Sequence, residues 1–337
     1  MYLRNCRRDN HAGYSRAMRF LLGLALVSLA VLVANVAAAA GPIDVQKAGA
    51  VKFSLAGDWL AAGRGRIWLS DPPAKAVREI TPASGKAAVI ALRQEPCQSP
   101  DFAYGALWTA TCNPSGLARI DAASHKVTGF VRLPIWPELD GEGAIAAGAG
   151  GVWVVINGAS CVNCLLARVN PRTMKVVAKI PVSERSSSVR VGYGAVWVVS
   201  PYTGAGTVQK VSPSSNKVVA TATIGRGPRF FDVGEGGVWT LNQDDGTVSQ
   251  INPRTGKLQA TIQAHVSGVG GDMAVGGGWV WARGWDTFLT RIDPRTHKVA
   301  QVYGPPSGSG SVAVGPGGVW ISAHDVKSVW RLPLPRR

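Results

Sequence analysis

Residues Val191–Val198 read VGYGAVWV. Six relatives of this stretch stand elsewhere in the chain: AGRGRIWL (Ala62–Leu69), FAYGALWT (Phe102–Thr109), AGAGGVWV (Ala147–Val154), VGEGGVWT (Val233–Thr240), VGGGWVWA (Val275–Ala282) and VGPGGVWI (Val314–Ile321). The shared tryptophans are Trp68, Trp108, Trp153, Trp197, Trp239, Trp281 and Trp320, spaced 40, 45, 44, 42, 42 and 39 residues apart. A period near 42 with several short strands per repeat predicts an all-β fold, a seven-bladed β-propeller of four-stranded blades.

One blade reads strand by strand. Val189–Gly192 is short and apolar and forms the innermost strand. Tyr193-Gly194 is a tight turn in which glycine supplies a positive φ. Ala195–Ser200, rich in β-branched and aromatic residues, is the second strand. Thr207–Val211 and Lys217–Ile224 are the third and fourth, joined through Ser212–Asn216. Other repeats place NPRTMK (Asn170–Lys175), NPRTGK (Asn252–Lys257) and DPRTHK (Asp293–Lys298) at that last turn, where Asn or Asp bonds nearby amides and Pro fixes φ. The final repeat has only three strands, Ser311–Val314, Gly318–Ser322 and Ser328–Leu332. Ala50–Ala56 resembles a fourth strand, so Lys52–Leu55 is expected to complete the seventh blade and close the ring.

Of the 337 residues, 41 are glycine and 21 proline, and 17% are charged, which suits many tight turns and excludes a disordered chain. Residues 1–40 read as a signal peptide: Met18-Arg19, the apolar run Phe20–Ala34 and the small residues Ala37–Ala40. Met18 is an alternative start. Cleavage near Ala40 leaves residues 41–337 as one domain in the periplasm or outside the cell; the alternative is an N-terminal membrane anchor. Residues 1–40 hold five of the 36 basic and one of the 20 acidic residues, so 31 and 19 remain, a net +12. A basic exported protein is drawn to anionic polymers.

Seven tryptophans at one position of the second strand are packing residues, because a repeated residue has a repeated role. Four antiparallel strands per blade send the turns after the first and third strands to one rim, here the turn rim. The loops after the second strand and the crossovers between blades share the other, the loop rim. The repeats diverge at the loop rim, so recognition is expected there. Its residues include Arg229, His265 and Asp272 in crossovers, and Asp71, Trp285, Asp286, His324 and Asp325 in loops. Arg229 suits an anionic group and Trp285 a stacking contact. The histidines suit polar contact or acid–base work.

Four cysteines follow residue 40. Cys97 and Cys112 fall on the same rim at adjacent positions, which predicts a disulfide in an oxidising compartment. Cys161 and Cys164 form a C-x-x-C, read as a second local disulfide, with a redox pair or a four-cysteine metal site as alternatives.

The G-x-G-x-V-W-V repeats, together with turns such as RIDPRTHKV (Arg291–Val299), resemble the bacterial YVTN-type and virginiamycin B lyase-like propellers over about Ala50–Leu332. The resemblance implies the propeller fold. It also implies, as one option, a lyase that opens a cyclic depsipeptide by β-elimination with a histidine base, an acidic partner and Mg²⁺. His265 and His324 would then be catalytic. The family's W-F-T-E places Glu three residues after Trp, whereas here Asp71, Thr111, Ile156, Ser200, Asn242, Gly284 and Ala323 stand at that offset. The expectation is therefore a monomeric envelope module without a cofactor. It would bind a small molecule or envelope protein through the loop rim, using Arg229, Asp272, Trp285, Asp286 and Asp325. The alternative is the lyase.

Overall fold

The computed structural model describes residues 41–134, 144–157, 163–201, 204–268 and 270–336. Gly41–Arg337 is one compact unit. Its strands form seven sheets, each with sequential antiparallel strands, arranged as the blades of a propeller. Blades are numbered one to seven by their tryptophans, Trp68 to Trp320.

Blade four matches the reading of its sequence. Its strands are Ser188–Gly192, Ala195–Ser200, Ala205–Ser212 and Lys217–Arg226. Tyr193 and Gly194 both have positive φ, 53° and 70°. This is the two-residue turn whose twist suits adjacent antiparallel strands. The glycine before it meets a different demand. A Cβ on Gly192 would stand 2.4 Å from Val233 Cγ1 of the next blade's inner strand. Gly148 and Gly234 face Val191 and Val275 in the same way, each at 3.0 Å. The two glycines of the repeated G-x-G therefore have separate causes: close approach of inner strands at the first, backbone sign at the second.

All seven tryptophans are fully buried. In blades one to six the indole N–H donates to the carbonyl five residues back, as in Trp197 Nε1 to Gly192 O at 3.1 Å. Blade seven differs: Trp320 Nε1 donates to Pro316 O, four residues back, at 2.9 Å. Proline fixes a negative φ, so Pro316-Gly317 cannot repeat the two positive φ values of the other turns, and a different carbonyl faces the indole.

Third-strand residues opposite the tryptophans join neighbouring blades. The Arg168 guanidinium lies 5.0 Å from the Trp153 ring and donates to Pro213 O at 2.8 Å in the next blade. Lys210 Nζ, 5.5 Å over Trp197, donates to Pro253 O at 2.8 Å. Across the closure, Arg331 donates to Pro82 O. The Asn-Pro turns hold as their chemistry requires: Asn170 Oδ1 accepts from the amides of Arg172 and Thr173 at 2.9 and 3.0 Å.

Val51–Ser54 pairs antiparallel with Ser328–Leu332 and supplies the fourth strand of blade seven. Two features depart from the simple repeat. Ile43–Asp44 adds a fifth, parallel strand to blade six beside Lys298–Gly304. In blade two, both Glu95–Pro96 and Asp101–Ala103 pair with Ala106–Cys112. Among the described residues no helix is long and apolar enough to cross a membrane.

Candidate functional site

Two polar regions follow from this architecture: the bore and the loop rim. Level with the tryptophans, the inner strands present Ala61, Asp101, Ala146, Arg190, Asp232, Ala274 and Ala313. Asp101, Arg190 and Asp232, with Asp272, line a bore of about 240 Å³. Each carboxylate accepts the amide of the following residue and an amide of the next blade. Asp101 takes Phe102 N and Ala147 N, each at 2.7 Å. Asp232 takes Val233 N and Val275 N, each at 2.8 Å. Asp272 takes Met273 N at 2.7 Å, Val312 N at 3.0 Å and the Ser311 hydroxyl at 2.5 Å. Burial raises all three carboxyls against the pull of these bonds and of Arg190, and brings Asp232 up to about 6. The bore acids stitch inner strands together.

Asp272, placed by the sequence in a crossover, thus lies in the strand Gly271–Gly276, is buried and is committed to this stitching. Arg229 is half-buried in the strand Pro228–Gly234, and its carbonyl accepts the Ser188 hydroxyl at 2.8 Å.

The loop rim holds a larger cavity, about 580 Å³, where blade seven meets blade one. Its walls include Asp58 of the closing linker, Asp71, Pro72, Pro73 and Arg78 of blade one, and His324 and Lys327 of blade seven. His324–Val326 is a single 3₁₀ turn after Gly318–Ala323, ended by Lys327 in the left-handed region at φ 48°. The crossover beside it fixes its position: His324 N donates to Ser309 O at 3.0 Å, and Ser309 N donates to Asp325 Oδ1 at 3.0 Å. His324 Nδ1 lies 3.3 Å from Asp58 Oδ1. The hydrogen bond that the His324 ring donates to the Asp58 carboxylate raises the His324 pKa above its ordinary value, against partial burial. Arg78 Nε donates to Asp71 Oδ2 at 2.9 Å, which occupies that charge pair. Lys327 Nζ has no hydrogen bond or ion pair among the described residues.

Trp285 is 53% exposed and Asp286 is exposed beside it. A Cβ on Gly270 would meet Trp285 Cε3 at 3.6 Å and Ser309 Oγ at 2.6 Å, so Trp285 adjoins the crossover whose Ser309 bonds the turn that carries His324 and Asp325. His265 is exposed at φ 53° in the preceding crossover and does not line the cavity. Among the described residues no group of three His, Cys, Asp or Glu side chains is placed to hold a metal ion.

Two contributors escaped the sequence. Asp58 lies before the first repeat, in the closing linker, where no register exists. Arg283 is fully buried and donates to Ser307 O at 2.9 Å and Gly308 O at 2.7 Å, so it holds the crossover in shape. Desolvation pulls its pKa down to about 10. A signal was present: two residues after the tryptophan the other blades carry Ser70, Ala110, Val155, Val199, Leu241 and Ser322, and only this one carries a charge.

Cys97 and Cys112 form a disulfide with Cα atoms 5.8 Å apart. Cys161 lies outside the described residues, as do residues 1–40, and with it the pairing expected with Cys164.

No family model matches the chain, and no curated protein matches it in sequence. Solved structures do. A chain of the hydrazine synthase of Kuenenia stuttgartiensis superposes with a TM-score of 0.65 at 15% identity, over 83% of this chain and 96% of that one. A chain from a crystal structure of the mitotic checkpoint complex gives 0.66 at 10% identity, over 85% and 95%. At such identities the likeness shows the propeller fold.

Proposed function

We propose that this protein is an exported cell-envelope propeller that binds a small molecule or a segment of another protein at its loop rim. The observation that carries the reading is the cavity between blades seven and one, with a charge pair, His324–Asp58, held ready in its wall and an unpaired Lys327 beside it. Trp285, Asp286 and Asp325 extend this face, and Arg229 stands further round the ring. The bore is the weaker candidate because its carboxylates are already bonded. Export rests on the apolar run Phe20–Ala34 and is supported by the Cys97–Cys112 disulfide, which an oxidising compartment permits. One fold neighbour comes from a complex, in keeping with a binding role.

The test is native mass spectrometry of the protein isolated from the envelope fraction. A co-purifying mass that His324→Ala and Lys327→Ala both lose supports the reading. A cytoplasmic location, or a mass retained by both variants, contradicts it.

A second reading, drawn from the resemblance to virginiamycin B lyase-like propellers, has one observation in its favour: an imidazole oriented by a carboxylate. Two observations oppose it. A raised pKa keeps His324 protonated at higher pH than a free histidine, which disfavours a base, and His265 does not share the cavity. No three-ligand set for Mg²⁺ exists among the described residues. Ring opening of a streptogramin depsipeptide, abolished by His324→Ala, would establish this reading.

A further inference from the structure

The excess positive charge is not spread over the molecule. Six blades end the turn between their third and fourth strands with a lysine at the same place: Lys86, Lys126, Lys175, Lys217, Lys257 and Lys298. All six are exposed, and none of their ammonium groups makes a hydrogen bond or ion pair among the described residues. Arg172, Arg254 and Arg295 stand exposed in the same turns. Two carboxylates share these turns, Asp121 and Asp293, and both are taken up by turn amides, Ser124 N and Arg295 N, each at 2.8 Å. The acids of the loops lie on the opposite rim: Asp58, Glu184, Asp244, Asp245, Asp286 and Asp325.

The sheet topology makes this pattern planar. Every one of these turns joins a third to a fourth strand, so all emerge at the outer circumference of one rim. The result is an annulus of unpaired cations contributed by six of the seven blades. A single thin polyanion would have to circle the ring to reach them all, whereas a flat anionic sheet meets them together.

We propose that the turn rim docks on the anionic headgroups of a lipid bilayer and holds the loop rim outward. This inference is independent of the ligand proposed for the loop rim. It names an interaction surface on the other face.

The test is co-sedimentation with vesicles of phosphatidylglycerol and phosphatidylcholine in equal parts, against phosphatidylcholine alone. The chain used begins at Gly41. It holds every strand of the ring but lacks the apolar run Phe20–Ala34, which could insert by itself. The expected result is binding to the anionic vesicles only, lost at high salt. The triple change Lys175→Gln, Lys217→Gln and Lys257→Gln should weaken it roughly a hundredfold, at about one kcal/mol per cation near the surface. The triple change Arg93→Gln, Arg185→Gln and Arg226→Gln alters net charge equally, at exposed positions of the loop rim, and should weaken it by less than about threefold. Thermal melts of both triples control for folding, and single Lys→Gln changes replace any triple that melts early. Equal loss in the two triples overturns the proposal. So does a lack of preference for anionic vesicles, or tight binding to soluble heparin without binding to vesicles.

Discussion

Within the bore Arg190 Nε stands 3.9 Å from Asp232 Oδ1 of the next blade, the one cation among the described lining residues, facing three carboxylates that each staple one blade to the next. Asp232 has 28% of its side chain exposed, and that exposure is into the narrow bore, so burial still dominates its titration. Its folded pKa, about 6, exceeds the ordinary 3.8. The folded state therefore binds this proton more tightly than the unfolded one. The group adds stability as pH falls through about 6 toward 3.8, and subtracts it above. Arg190→Met should cost roughly 2 kcal/mol near pH 8, below the range for a fully buried pair. The loss should shrink at pH 5, where protonation of the carboxyls replaces the missing cation. Denaturant melts at the two pH values check this, and a pH-independent loss would show that Arg190 does not balance the bore acids.

Gly192→Ala tests the inner packing. Its new methyl would stand 2.4 Å from Val233, so the inner strands of blades four and five must separate. The expected cost is about 1–3 kcal/mol. Gly194→Ala should also destabilise, for a different reason, since it places a side chain at φ 70°. The double variant Gly192→Ala/Val233→Ala should recover part of the first loss and none of the second. Thermal melts of the three variants distinguish the causes.

Removal of residues 41–54 tests closure. Val51–Ser54 covers Ser328–Leu332, and its loss leaves a strand edge and strips Trp320 of its stack with Phe53, whose ring centroids are 5.8 Å apart. The shortened chain should aggregate and melt at lower temperature, as light scattering and calorimetry would show. A soluble chain with an unchanged transition would contradict the role of this strand.

The repeats made some elements legible and hid others. Blade four could be read strand for strand because its tryptophan, its two turn glycines and its alternating valines answer demands that every blade repeats. The closing strand was legible from a deficit: three strands at one terminus and a strand-like segment at the other. Cys97–Cys112 followed from the same register. Ile43–Asp44 was not visible, since two residues of parallel pairing leave no periodic signature. Asp272 was misplaced because Gly271, at φ 126°, begins its strand earlier than the apolar pattern suggests. Asp58 meets His324 only because the ring closes, and no local pattern encodes a contact between the two ends of a chain.

The Cys97–Cys112 bond closes a loop of 15 residues across the edge of blade two. In the chain-entropy account such a loop contributes about 3 kcal/mol. Cys97→Ser/Cys112→Ser should lower stability by about that amount, and non-reducing peptide mapping of the wild type should recover the linked peptides. Free thiols at both positions in protein from the envelope would contradict the bond and weaken the case for export.

The His324–Asp58 pair gives the loop rim its own pH signature. Hydrogen bonding to Asp58 raises the folded His324 pKa above the unfolded value of 6.5. Its contribution to stability is therefore fully present below about 6.5 and is lost as pH rises through the folded value. The His324 side chain is 44% exposed, so solvent screens the pair and the contribution is small. Titration resolves it better than melting. In Asp58→Asn the His324 midpoint, followed by NMR of the ring, should fall, because partial burial then acts without the carboxylate. Melts of Asp58→Asn should differ from the wild type more at pH 6 than at pH 9. An unshifted His324 midpoint in this variant would mean that the pair is not formed in solution, and the loop-rim cavity would lose the feature that distinguishes it from the other loops.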